Sequence, residues 1–300
     1  MGYKNKKSLV LQVQEALESK LKIGHSKHQD KILGIADKHI YSWSTFQTYM
    51  KHCNYFAKWA KAEHGCKTLD AARPYVDEYL QKLMDEGKSP YTQKLEASAI
   101  AKMYGCSSED FIKTEVRHRS EISRSRGERV RDTNFSVKRN SELINFCQCT
   151  GLRRSELETL RPEQLVQKSD GSFWLNIRGK GGRERLAPIV GTPEQVKAVT
   201  DRIQASDGLV WPRVHNAADI HAYRAEYGTR IYELHARPIE EIPYDSVNAG
   251  SGLRYQSEVY NCRGDLKGVK YDKKAMLIAS NALGHNRISV IAGHYIRGEE

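Results

Sequence analysis

Long apolar runs are missing from this sequence: no stretch of eighteen apolar residues occurs among its 300 positions, and mean hydropathy is −0.66. No segment can therefore cross a bilayer as a helix. Met1–Lys7 leads into only a short apolar stretch, and Lys6 stands where a myristoylation signal needs Ser or Thr, so neither export nor lipidation is expected, and no membrane partner. Paired cysteines are missing as well. The six present (Cys53, Cys66, Cys106, Cys147, Cys149 and Cys262) form no CxxC pair, and a chain of this length builds a core without staples, which points to a reducing cytoplasm. Cys147 and Cys149 stand two apart in a helical stretch and point in different directions, which argues against a shared metal. No metal and no cofactor are expected.

Negative charge is scarce: 37 Asp and Glu face 48 Lys and Arg, a net +11, with pI near 9.2. An excess of Lys and Arg favours a polyanionic partner, because neutralised phosphates release condensed counterions. Nucleic acid is the first suspect, although ribosome-associated, membrane-surface and merely soluble basic proteins share this balance. The 39% of apolar residues suits a globular protein of one or two domains.

The first third reads helical. Expected helices cover Ser8–Lys22, Ser44–Glu63 with Ser44 or Thr45 as N-cap, Asp70–Met84 closed by Gly87, and Ser89-Pro90 through Met103. Together they make a four-helix bundle over 1–112. Residues 113–140 carry nine Lys/Arg against four acids, a solvated linker by composition and also a suitable connector for a protein encircling a duplex; the linker is placed at 113–135. From 136 to 300 the pattern is mixed. Helices are expected at Glu142–Cys149, ended by a left-handed Gly151, and at Arg153–Arg161 before Pro162. Phe173–Ile177 and Arg185–Ile189 alternate as strands about the turn Gly179-Lys180-Gly181-Gly182, a β-hairpin with a lysine at its tip. Pro193–Ala205, Ala217–Leu234, Lys273–Leu283 and His285–Ile296 read helical again. The class is mainly α with a small β-sheet or hairpin.

GKGGRER at 179–185 lacks the spacing of a nucleotide P-loop, and alone it is a plain turn. Three separated motifs change its meaning. Thr150-Gly151-Leu152-Arg153-Arg154-Ser155-Glu156-Leu157, the hairpin Arg178–Pro188, and Leu283-Gly284-His285 ending in His294-Tyr295 follow in that order. The set resembles the tyrosine recombinases, the phage-integrase family, over the C-terminal two-thirds, and loosely over the N-terminal bundle, which looks like the family's SAM-like core-binding domain. The resemblance implies an α+β catalytic domain at 136–300 and places the catalytic set on Arg153, Lys180, His221, Arg224, His285 and Tyr295, with Glu156 orienting Arg153. Arg154 is rejected. For the His-x-x-Arg pair, His221–Arg224 is preferred over Tyr260–Arg263, which lacks the histidine, because i,i+3 puts both side chains on one helix face. That choice leaves a long insertion, assigned to 235–269 as a functional or mobile loop.

The chemistry implied is phosphodiester cleavage by Tyr295, giving a 3′-phosphotyrosyl link that conserves the bond energy, so that religation needs neither ATP nor metal. Arg153 and Arg224 would present planar forks to the phosphate. His221 and His285 would assist the phenol, whose reference pKa is about 10. Lys180 would protonate the leaving 5′ oxygen. Arg117, Arg119, Arg124, Arg126, Arg178 and Arg183 are candidate DNA contacts. The family further implies double-stranded recombination sites as substrate, a homotetramer on DNA, an accessory directionality factor, and a bacterial or phage-encoded, nucleoid-associated protein. Only five residues follow Tyr295, fewer than many relatives use to dock on a neighbour, and the inserted loop is expected to substitute. Two other readings share the chemistry or the fold: a topoisomerase IB-like strand-passing enzyme, and a DNA-binding protein without catalysis.

Overall fold

A computed structural model of the chain describes residues 7–118, 135–179, 182–242, 257–285 and 287–296. The chain divides into two compact units, Met1–Ile122 and Ser123–Glu300.

The first unit is helical: α1 (Leu9–Glu18), α2 (Lys27–Ile32), α3 (Trp43–His64), α4 (Leu69–Ala72), α5 (Val76–Asp85) and α6 (Pro90–Tyr104). Apolar residues three and four apart put Leu9, Val13 and Leu17 of α1, Cys53, Phe56 and Ala60 of α3, and Tyr79, Leu80 and Leu83 of α5 into one core with Ile100 and Met103 of α6. Caps set the boundaries. Ser42, rather than Ser44 or Thr45, starts α3, its Oγ accepting from Thr45 N at 3.2 Å. The helix expected over Asp70–Met84 is two helices joined by a 3₁₀ turn at Arg73–Tyr75, because Pro74 has no N–H to continue the ladder. The short α2 falls between the first two expected helices.

The second unit holds α7 (Ser141–Thr150), α8 (Arg154–Leu157), a sheet of order β1-β2-β3 from Leu165–Gln167, Phe173–Arg178 and Glu184–Pro188, then α9 (Pro193–Gln204) and α10 (Ile220–His235). A two-stranded ladder of β4 (Val259–Asn261) and β5 (Lys270–Asp272) leads into α11 (Lys273–Leu283) and α12 (Ser289–His294). Both ladders are antiparallel. α10 packs on α7 and on α11, with Tyr227 and Ile231 of α10 meeting Met276, Ala279 and Leu283 of α11 in one cluster. The architecture is mainly helical with small sheets, as the sequence indicates.

Several boundaries differ from expectation. The helix expected over Arg153–Arg161 is the single turn α8: beyond it Leu160 N donates to Leu157 O, only three residues back, at 3.3 Å, and Arg161 N donates to Gln164 Oε1 at 2.9 Å instead of continuing the ladder. α10 begins at Ile220 because Asp219 caps it, accepting from Ala222 N at 3.1 Å. In the last segment, helix is confined to Ser289–His294. The stretch 235–269 is not all loop: it contains β4, and residues 243–256 lie outside those described. Among the described residues no helix is long and apolar enough to cross a membrane.

Candidate active site

The last carbonyls of an α-helix lack partners within it and form the negative end of the helix dipole. At the end of α11 three guanidiniums take them. Arg185 Nε donates to Ala282 O at 3.0 Å, Arg153 Nη2 to Leu283 O at 3.3 Å and to Gly284 O at 3.4 Å, and Arg224 Nη2 also to Leu283 O. Gly284 has φ +66°, and a Cβ there would lie 2.9 Å from Arg185 Cδ. Glycine is required twice over, for the left-handed turn and for the arginine's approach. That turn brings His285 back over the helix end, its N–H on Ser280 O at 2.8 Å.

Glu156, in the first turn of α8, holds two of these arginines. Its carboxylate accepts from Arg153 N at 2.8 Å and Arg153 Nη1 at 2.7 Å, and from Nη1 and Nη2 of Arg185 at 2.9 and 2.8 Å. Burial alone would raise its pKa, but the bonds from Arg185 and then Arg153 outweigh it and hold the carboxyl at about 2. One carboxylate against two guanidiniums leaves one net positive charge. Glu156 was anticipated beside Arg153; Arg185 was missed. Its signal lay in strand parity: Ile177 pairs with Arg185 and Leu175 with Ala187, so the inward positions of β2 put residue 185 inward as well.

Tyr295, directly after α12, is 4% exposed. Its Oη lies 3.1 Å from His285 Nε2 and 3.4 Å from Arg224 Nε. A guanidinium can only donate, so Oη accepts from Arg224 and its own proton is directed to His285. Arg224 Nη2 lies 3.4 Å from the same imidazole nitrogen, which makes Nε2 an acceptor and puts the ring proton on Nδ1. Burial, followed by the charges of Arg224, Arg153 and Arg185, takes His285 down to about 4, so at neutral pH it is uncharged. The His221 ring is 5.7 Å from that of Tyr295. Gly228 of α10 makes this packing feasible: a Cβ there would meet Leu283 Cδ1 at 2.9 Å and Tyr295 Cβ at 3.3 Å. Its neighbour Thr229 donates from Oγ1 to Tyr295 O at 2.7 Å.

Neither a protein-family model nor a curated protein matches the chain by sequence, whereas solved structures do. The XerH site-specific recombinase bound to palindromic difH substrate, a post-cleavage complex, matches with a TM-score of 0.52 at 14% identity, covering 97% of this chain and 92% of that one. This chain has the tyrosine-recombinase fold. The Tn1549 transposon integrase in complex with circular intermediate DNA matches at 12% identity and a TM-score of 0.46, over 98% of this chain and 96% of that one.

Within the tyrosine-recombinase fold, the anticipated Arg153, Glu156, His221, Arg224, His285 and Tyr295 come together. Lys180, Arg119, Arg124 and Arg126 lie outside the described residues. Arg224 departs from expectation in one respect. It is 2% exposed, and its fork is directed at the Gly151 and Leu283 carbonyls rather than at solvent, because a buried guanidinium needs a partner for each N–H. Arg153, Arg183, Arg185, His285 and Arg287 instead line an open cleft of about 620 Å³. Arg178 is exposed at the end of β2. Arg117, in the first unit, lies over the Tyr91 ring at 5.1 Å. Arg154 is engaged elsewhere, donating to the carbonyls of His215 and Ala218 at 3.1 and 3.0 Å. The rejected alternative starts on β4, with Tyr260 and Asn261 paired to β5.

Proposed function

We infer that this chain is a site-specific DNA recombinase that cuts and rejoins strands through a 3′-phosphotyrosyl intermediate. One observation carries the reading: a buried phenol sits within 3.1 Å of an uncharged imidazole nitrogen and 3.4 Å of a guanidinium, beside a cationic cleft. In the reaction, His285 Nε2 takes the Tyr295 proton as Oη attacks phosphorus. The bond from phosphorus to the 5′ oxygen breaks, and Lys180 supplies the proton that the 5′ hydroxyl carries away. Arg153, held in place by Glu156, stabilises the charge gathering on the non-bridging oxygens. Arg224 orients the phenol through its Nε. Religation reverses these steps with a new 5′ hydroxyl. The substrate is duplex DNA, and exchange between two duplexes calls for four protomers.

The test is covalent capture. Purified protein is mixed with a library of nicked, sequence-randomised duplexes, and complexes that survive SDS are recovered and sequenced. Wild type yields adducts on a defined site, and Tyr295→Phe yields none. Adducts of equal yield on any sequence, together with relaxation of supercoiled plasmid, would instead indicate a topoisomerase IB-like enzyme.

A further inference from the structure

Along β3 the usual order of a half-buried strand is reversed: Leu186 is 47% exposed, while the Arg185 side chain, facing inward, is only 9% exposed. A charged side chain in a place suited to an apolar one is costly to bury unless its charge is paired and hydrogen-bonded. Arg185 meets that condition by joining two elements. Its Nη1 and Nη2 grip both oxygens of Glu156, and its Nε holds the Ala282 carbonyl one turn before His285. Oε1 of Glu156, shared between Arg185 and Arg153, is the oxygen that positions the Arg153 fork.

We propose that Arg185 is a positioning residue for strand cleavage: by chelating Glu156 and fixing the end of α11, it sets Arg153 and His285 in register with each other. This rests on the recombinase reading above. Arg185 acts through its two partners, and the planar fork is essential, since lysine offers a point charge that cannot grip both carboxylate oxygens. Small misplacements of catalytic groups cost rate far more than binding, about 100-fold for about 1 Å.

The experiment compares Arg185→Lys, Arg185→Met and Glu156→Gln, singly and as the double variant Arg185→Met/Glu156→Gln, each verified as folded by its melting curve. Single-turnover adduct formation at saturating duplex should fall about 100-fold in either Arg185 variant, with DNA affinity within about twofold of wild type. The double variant should be no slower than the slower single one, as expected of residues acting in one unit. Recovery of the rate by lysine, multiplying losses in the double variant, or affinity falling in step with rate would each overturn the assignment. A DNA-independent arm follows the Glu156 carboxyl by carbon-13 NMR: its pKa rises from about 2 in Arg185→Lys, and an unchanged titration would also overturn the proposal. Wild type that forms no adduct on any duplex would sink the recombinase reading, and the titration then decides the coupling of Arg185 to Glu156 by itself.

Discussion

A neutral histidine pressed against a phenol makes a definite demand on pH. His285 titrates at about 4 in the fold against an ordinary 6.5, so the folded chain binds this proton less readily than the unfolded one. Its contribution to stability is complete above pH 6.5, drains away as pH falls toward 4, and is constant below that. Urea unfolding at pH 7 and at pH 4.5 should show wild type losing about 1–2 kcal/mol more than His285→Gln, less than the whole shift implies because the ring is only half-buried. Adduct formation should fall over the same descent, since a protonated ring cannot accept the Tyr295 proton. Arg185 was hard to read from sequence at this scale. The motif GKGGRER by itself does not mark which arginine faces a carboxylate far away in the chain; only the pairing of β3 with β2 does.

Between elements, the approach of α10 to the end of α11 and to the residue after α12 depends on the bare backbone at Gly228. Adding a methyl would push against the Leu283 and Tyr295 side chains. Gly228→Ala is expected to cost about 1–3 kcal/mol, read from urea midpoints, and to slow adduct formation because the phenol shifts from His285. The elements were legible where they are long and periodic, as in α3, α6 and the β2–β3 hairpin, whose 3.6- and 2-residue rhythms stand out. They were not legible where three residues make a strand, as in β1, β4 and β5. Local hydrogen bonding and proline also overrode the apolar pattern: the Arg161 amide turns to the Gln164 side chain, and Pro74 divides a run whose apolar pattern continues through it.

For the whole molecule, a net charge of +11 predicts that DNA affinity falls steeply with salt. Arg178→Ala and Arg183→Ala should each make the slope of log K against log salt shallower by about 0.9 if each meets one phosphate, measured by fluorescence anisotropy between low and physiological salt. Six members of the candidate site could be named from the resemblance to the tyrosine recombinases, which matches residue types in order along the chain. That they converge could not be read from spacing, since His285 and Arg224 are 61 positions apart. Their meeting place is the end of one helix, where backbone carbonyls rather than the intervening chain hold the arginines. Covalent distance between them is thereby decoupled from spatial distance. The packing at that helix end is therefore insensitive to how many residues separate α10 from α11 along the chain.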